Sequence, residues 1–139
     1  MNSTKKAKSK YEAEQYLDAD KAEEHKTAGN ALFTKGDFPG AIKEFDEGVR
    51  RDPKNKAIYS NRCQAFIKLN APVDALKDAE KCLELDPQFV KAYAKKGNCH
   101  CLMREYHKAM RAFEQGLEID PTNKDCLDGK QKTLYSINT

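Results

Sequence analysis

The stretch LDPQFVKAYAKKG, residues 85–97, ends one predicted helix and begins the next. Pro87 lacks a backbone N–H, so a preceding helix stops before it. Beyond it, Tyr93 and Gly97 are four residues apart and would share one helix face. The same Asp-Pro pair occurs at 52–53, 86–87 and 120–121, so the motif recurs every 34 residues. A fixed period of this length indicates an array of repeated structural units.

Small residues follow the same period when the repeats are numbered from Ala22, Lys56 and Val90. Position 8 of each repeat lies on the first helix, position 20 on the second, and both carry small side chains. These side chains would allow the two helices of a repeat to approach closely. The residues at positions 8, 20, 27 and 32 are Gly29, Cys63, Gly97; Ala41, Ala75, Ala109; Gly48, Cys82, Gly116; and Pro53, Pro87, Pro121.

Hydrophobic periodicity predicts an all-α fold of three helix-turn-helix repeats. The expected repeats are 22–55, 56–89 and 90–123, within a repeat domain over 20–139 that follows a basic lead-in over 1–19. A last helix over 123–137, with Leu127, Leu134 and Ile137, would cap the final apolar face. The predicted helices are 20–34, 38–51, 55–69, 72–85, 89–103, 105–119 and 123–137.

Composition excludes several classes of protein. Charged residues make up 34% of the 139-residue chain, and no apolar run approaches the ~18 residues of a membrane helix. No export signal is evident, and five cysteines fit free thiols in a reducing compartment, so we expect cytoplasm or nucleus. The first ten residues hold four lysines, and the remainder holds 21 basic and 22 acidic residues. That body is not basic as in nucleic-acid binders, and the arm is interpreted as a solvated linker.

Catalysis and metal binding find no support in the sequence. There is no nucleophile–base signature, no Gly-rich loop opening a helix and no carboxylate pair in an apolar pocket, which predicts a non-enzyme without a cofactor. Cys99 and Cys101 would point about 200° apart on a helix, so they could not share one metal ion.

Positions 2, 5, 6 and 9 of each first helix share a face separate from the expected core. That face carries three lysines and several carboxamides, with one acid at its end. Lysines without a paired acid, next to amide donors, indicate a site that binds an anion. The residues are Glu23, Lys26, Thr27, Asn30; Ala57, Ser60, Asn61, Gln64; and Lys91, Ala94, Lys95, Asn98.

The 34-residue period and the small-residue pattern resemble the tetratricopeptide repeat (TPR), which implies a superhelix of stacked hairpins. Within HKTAGN, YSNR and KAYAKKG, five residues match the carboxylate clamp of co-chaperone TPR domains: Lys26, Asn30, Asn61, Lys91 and Lys95. The resemblance implies that the first four bind the two carboxylates of a terminal Asp. Lys95 would reach the Asp side chain or upstream residues, although that position is usually Arg, whose planar fork lysine lacks.

The segments YLDADKAEEHKTAGN, KGDFPGAIKEFDEGVRRDPKN and IYSNRCQAFIKLN look most like the last TPR domain of the Hop/Sti co-chaperone family. This likeness implies a domain of a larger scaffold that binds the C-terminal Glu-Glu-Val-Asp tail of heat-shock protein 70 or heat-shock protein 90. Phe33, Gln64, Lys68 and Asn98 would flank the upstream tail residues. The clamp would read only the end that both tails share, so the preferred chaperone stays open.

Two other functions remain open from the sequence. The chain could be an accessory TPR domain of a chaperone-associated enzyme, such as a prolyl isomerase, phosphatase or ubiquitin ligase. It could also be a nucleic-acid or import adaptor that acts through the lysine arm.

Overall fold

The computed structural model describes residues 15–139. The predicted basic arm, with Lys5, Lys6, Lys8 and Lys10, and most of the lead-in over 1–19 lie outside the described residues. The described part of the chain contains no helix that is long and apolar enough to cross a membrane.

Seven complete α-helices and no strand occur in the described residues, which confirms the predicted all-α class, and Gln15 and Tyr16 are also helical. Each helix begins and ends within one residue of its predicted bounds. The helices are α1 Ala19–Thr34, α2 Phe38–Arg51, α3 Lys56–Lys68, α4 Pro72–Leu85, α5 Val90–Leu102, α6 Tyr106–Ile119 and α7 Lys124–Asn138.

The Asp-Pro pairs end the second helix of each repeat, as the sequence predicts. Asp52, Asp86 and Asp120 are the C-caps of α2, α4 and α6. Each donates its backbone N–H to the carbonyl of the residue four positions earlier, over 2.8 to 2.9 Å. The proline that follows has no N–H to continue the ladder, so every second helix stops at the same point of the 34-residue period.

The chain divides into two compact units, the first ending at Asn55 and the second beginning at Lys56. The first unit is the α1–α2 hairpin. Gly29 on α1 is buried against Phe45 on α2, and a Cβ on Gly29 would lie 2.4 Å from the Phe45 ring. Asp18 caps α1, since its side chain accepts a hydrogen bond from the Lys21 N–H over 3.1 Å.

The second unit contains α3 to α7 and two buried clusters. The first cluster joins α3, α4 and α5 through Cys63, Ala75, Ala79 and Cys99. The second cluster joins α5, α6 and α7 through Ala94, Ala109, Phe113 and Cys126. The small residues predicted at positions 8 and 20 therefore lie in the core of this unit, where they allow close helix packing.

The capping helix packs through different residues from those expected. Leu127, Leu134 and Ile137 are 45%, 42% and 37% exposed, so the expectation that they form the apolar face of α7 is wrong. The buried residues of α7 are Cys126 and Thr133. Gly129 lies between them along the same face, and a Cβ there would be 2.4 Å from the Phe113 ring. The small residues let α7 approach α6 closely, which turns the leucines outward.

We predict that Gly29→Ala destabilises the first unit. In an open helix this change stabilises by about 1 kcal/mol, because alanine has the better helix propensity. Here the added methyl group would overlap Phe45, so we expect the free energy of unfolding to fall by about 1–3 kcal/mol. Urea denaturation followed by circular dichroism measures the change, with the exposed Thr27→Ala as control. Stabilisation by Gly29→Ala would contradict the close approach of α1 and α2.

Candidate functional site

The first unit carries two of the predicted clamp residues on one helix. Lys26 and Asn30 are four residues apart on α1, so their side chains leave the same face one turn apart. The Lys26 ammonium is 2.7 Å from a carboxylate oxygen of Glu23, three residues earlier. Asn30 is exposed, and its carbonyl accepts a hydrogen bond from the Thr34 hydroxyl over 3.0 Å.

Glu23 also has a second donor within the first unit. Its other carboxylate oxygen accepts a hydrogen bond from the Asn55 side-chain amide over 2.9 Å. The bonds from Lys26 and Asn55 hold the pKa of Glu23 below its usual value, because both stabilise the charged carboxylate. Glu23 is therefore an ionised neighbour of the predicted clamp residue Lys26.

The second unit carries the other three predicted clamp residues on α3 and α5. Lys91 is exposed on α5, and Lys95 is half-buried one turn later. The Lys95 ammonium donates to the hydroxyl of Ser60 over 2.6 Å and to its carbonyl over 3.2 Å. Ser60 directly precedes Asn61 on α3, so Lys95 reaches across to the helix that carries the clamp asparagine.

Lys95 is a cation held by neutral oxygen atoms. Burial lowers its pKa, and the positive charge of Lys91 lowers it further, whereas the negative charge of Asp125 on α7 acts in the opposite direction. Among the described residues, no salt bridge joins Lys91 or Lys95 to a carboxylate. The expectation of lysines without a paired acid is met for Lys91 and Lys95 in the described part of the chain, and it is wrong for Lys26, which pairs with Glu23.

Arg62 on α3 is a cation of the same unit that has a buried acidic partner, unlike Lys95. Its guanidinium donates to both carboxylate oxygens of Asp78 on α4, over 2.9 and 2.7 Å. The Arg62 and Asp78 side chains are 18% and 5% exposed, so this pair is largely removed from water. Fork-shaped pairing of this kind fixes the two helices of the hairpin. Lys95 differs because its partners carry no charge that could balance it.

The remaining predicted residues lie on the first helices of the repeats. Gln64 and Asn61 are half-buried on α3, Lys68 is exposed at the end of α3, and Asn98 is exposed on α5. Phe33 at the end of α1 packs edge-to-face against Phe38 at the start of α2, with ring centroids 5.1 Å apart. The structure thus gives Phe33 a packing role within the first hairpin, and its role beside a peptide stays a prediction.

Two positions assigned to the exposed face are buried. Ser60 and Ala94 both occupy position 5 of their repeats and are only 3% exposed, so that part of the expectation is wrong. Lys95 covers Ser60, and Ala94 packs in the cluster with Phe113. Sequence reasoning missed Ser60 and Asn55 as partners of the charged residues. The spacing of three between Glu23 and Lys26 could have revealed that pair.

The cysteines act as packing residues. Burial raises the pKa of Cys82 to about 12, and a hydrogen bond with Cys99 together with burial raises that of Cys63, so both stay protonated thiols. Cys99 lies in the cluster with Cys63, whereas Cys101 contacts the Thr133 hydroxyl at 3.2 Å. Cys126, for which the sequence suggested no role, is buried where α7 meets α6.

Each unit therefore presents amide and ammonium donors on its first helices. In the second unit the two lysines raise the local positive potential, and neither is neutralised by a paired acid in the described part of the chain. A carboxylate that approached these lysines would gain charge-assisted hydrogen bonds, and it would offset the cost of burying Lys95. The chemistry of these residues fits the binding of an anion.

Comparison with known proteins gives three kinds of match. The family model described as "Tetratricopeptide repeat" matches residues 90–123, the span of the third predicted repeat. The "Hsp70-Hsp90 organizing protein" of Triticum aestivum is 44% identical over 138 residues, which is 99% of this chain and 24% of that protein. Curated relatives of the same name from other plants are 40 to 42% identical.

Similar solved structures include two domains with a chaperone peptide in their names. The "TPR2B-domain:pHsp70-complex of yeast Sti1" is 31% identical with a TM-score of 0.78, over 84% of this chain and 98% of that one. The "First TPR of Spaghetti (RPAP3) bound to HSP90 peptide SRMEEVD" is 26% identical with a TM-score of 0.84, over 89% of this chain and 98% of that one. The chain spans about a quarter of the length of the first curated relatives that it matches.

We predict stability effects of different size for two cations of the second unit. Arg62→Met would leave the Asp78 carboxylate buried without its partner, so unfolding free energy should fall by about 3–5 kcal/mol. Lys95→Met would replace a partly buried ammonium by an apolar group of similar length, and we expect a change within about 1 kcal/mol. Urea denaturation at neutral pH measures both. A large loss for Lys95→Met would show that Lys95 is a structural cation like Arg62.

The lowered pKa of Lys95 adds a pH signature to this comparison. The unfolded chain binds the Lys95 proton more tightly than the folded chain does. This residue therefore makes stability rise with pH in the alkaline range, between its lowered pKa and the ordinary lysine value. Lys95→Met should remove that part of the slope, and an unchanged difference between the two proteins from neutral to alkaline pH would contradict it.

Proposed function

Because this chain belongs to the tetratricopeptide repeat family, we propose that it is the peptide-binding domain of a co-chaperone. Its ligand is the C-terminal Glu-Glu-Val-Asp tail of Hsp70 or Hsp90. The proposal is supported by relatives named for both chaperones and by similar domains whose names state a bound Hsp70 or Hsp90 peptide. The 31% identity to the TPR2B domain of yeast Sti1, over nearly all of that domain, supports the assignment to a TPR domain of such a scaffold.

The observation that carries the proposal is the state of the two lysines on α5. Lys91 is exposed, and Lys95 is held at Ser60 by neutral acceptors, with no paired carboxylate among the described residues. A peptide α-carboxylate supplies the missing anion. Since Ser60 accepts two hydrogen bonds from Lys95, the lysine position is largely fixed before the ligand arrives. That fixed position lowers the entropy cost of binding.

We assign the carboxylate clamp to Lys26 and Asn30 of the first unit and to Asn61, Lys91 and Lys95 of the second. Lys26, Asn30, Asn61 and Lys91 would bind the carboxylates of the terminal Asp, as the resemblance implies. Lys95 stands where the family usually has Arg, so it offers a point charge and no planar fork. Two of its three N–H donors point to Ser60, which leaves one for the Asp side chain or an upstream residue.

The flanking residues would set the preference between the two tails. Gln64, Lys68 and Asn98 carry amide or ammonium donors beyond the clamp, and Phe33 offers an aromatic face. A glutamate of the tail would find Lys68 about two turns beyond Asn61 on α3. These contacts are softer than the clamp, so we expect one domain to bind both tails with different affinities.

Binding strength follows from a few charged hydrogen bonds. Each contributes about 1.5–3 kcal/mol, and ordering a flexible tail offsets much of their sum. A net free energy near −8 kcal/mol, or a roughly micromolar Kd, is reasonable. The interaction is then reversible and weakens as salt screens the lysines. The domain would act by binding and scaffolding in the cytoplasm, without catalysis by its own residues.

We predict that Lys91→Ala weakens a peptide ending in Glu-Glu-Val-Asp at least ~10-fold, or ~1.4 kcal/mol, because one cation of the clamp is lost. Lys26→Ala should act in the same direction. Isothermal titration calorimetry measures the affinity, and circular dichroism checks that helical content is unchanged. Lys77→Ala is the matched control, since Lys77 is an exposed lysine on the second helix of its repeat. Equal affinity for Lys91→Ala and Lys77→Ala would refute the assignment of Lys91.

We also predict that amidating the C-terminus of the peptide removes most of the binding. The amide keeps the side chains and the length of the peptide but replaces the α-carboxylate by a neutral group. A clamp that reads this carboxylate loses several charge-assisted hydrogen bonds at once. Calorimetry with the acid and the amide of the same peptide makes the comparison. If both bind alike, the α-carboxylate is not recognised, and attraction to the acidic side chains is the better explanation.

A further inference from the structure

Glu23 is an acid in direct contact with one proposed clamp lysine. It lies one turn before Lys26 on α1, and its carboxylate is 2.7 Å from the Lys26 ammonium. Asn55 at the end of the first unit donates to the other carboxylate oxygen over 2.9 Å. A lysine ammonium and an asparagine amide therefore both bind one carboxylate. The proposed clamp would use the same two donor types, Lys26 and Asn30, for the terminal Asp.

The two lysines of α5 are in a different situation. Neither Lys91 nor Lys95 forms a salt bridge with a described residue, whereas Lys26 does. A carboxylate of the peptide can thus bind Lys91 and Lys95 without displacing a carboxylate of the protein. At Lys26 it meets a carboxylate that is already bound and tethered nearby.

We propose that Glu23 is an internal competitor for the peptide: its carboxylate occupies Lys26 until the terminal carboxylate of the ligand displaces it. This inference rests on the proposed function, since it concerns the same lysine and the same ligand. Glu23 then lowers the affinity of the domain for any ligand that uses Lys26, because this ion pair has to open before the ligand can bind Lys26.

The size of the effect follows from the exposure of the pair. The Lys26 and Glu23 side chains are 25% and 53% exposed, so water screens their attraction. Exposed ion pairs of this type shift a local equilibrium by a small factor, and the apparent Kd rises by the inverse of the fraction of Lys26 that is available. We therefore expect Glu23 to weaken peptide binding by about two- to five-fold.

Glu23→Gln tests this competition. The change removes the negative charge and keeps the shape of the side chain. A peptide ending in Glu-Glu-Val-Asp should bind about two- to five-fold more tightly by calorimetry. The matched control is Glu24→Gln, the adjacent exposed residue of α1, which gives the same change in net charge. If both variants tighten binding equally, the effect is long-range electrostatics, and the competition is refuted.

A double-mutant cycle shows whether Glu23 acts through Lys26. In the Lys26→Ala variant, Glu23 has no lysine at this position to pair with. Adding Glu23→Gln to that variant should therefore change the affinity for the peptide by less than about 1.5-fold. A gain that persists without Lys26 would overturn the proposal. A second readout is the pKa of Glu23 measured by carbon-detected NMR, which should rise towards its usual value when the peptide takes Lys26. An unchanged Glu23 pKa on saturation with peptide would also overturn it.

The outcomes separate this inference from the function on which it rests. If Lys91→Ala binds the peptide as tightly as the unmodified chain does, the proposed clamp itself fails. If Lys91→Ala weakens binding but Glu23→Gln behaves like Glu24→Gln, the clamp stands and only the competitor role of Glu23 fails.

Discussion

The close approach of paired helices is the constraint on which each unit depends. Gly29 against Phe45 and Gly97 against Phe113 leave no room for even a Cβ atom between glycine and ring. Helices this close can bury a large aromatic side chain with the help of few other apolar residues. This matters because 34% of the residues of the chain are charged, which leaves fewer apolar residues for a core. The same constraint explains the capping helix, where Gly129 and Cys126 contact α6 and larger apolar residues face outward.

The partner of each cation determines what that cation can do. Arg62 is paired with buried Asp78 and holds a hairpin together, while Lys95 is held by the neutral oxygens of Ser60. The first arrangement satisfies its charge within the protein, and the second leaves it available to an anion. Lys26 is intermediate, because its partner Glu23 is exposed and can be displaced. The proposed binding of an acidic peptide tail therefore has a physical basis in how these three cations are paired.

This pairing also suggests how a weak, reversible interaction is tuned. Lys91 and Lys95, which have no salt-bridge partner among the described residues, favour binding of the peptide. At Lys26, competition from Glu23 lowers the affinity by a small factor. The proposed affinity near the micromolar range would then reflect competition among ordinary surface charges. Fixing Lys95 at Ser60 lowers the ordering cost at that one position.

The sequence by itself determined the helices, because a 34-residue period with small residues and Asp-Pro stops constrains backbone geometry locally. Every helix begins and ends within one residue of its prediction. The sequence also singled out the candidate cations, since lysines four residues apart on a helix share a face. Only the tertiary structure decided that Ser60 and Ala94 are buried, that α7 packs through Cys126 and Thr133, and which partner each cation has. Those outcomes depend on contacts between residues from different helices, such as Lys95 with Ser60, which are 35 positions apart. Helical periodicity specifies which face a side chain occupies, and the packing of neighbouring helices then decides what that face meets.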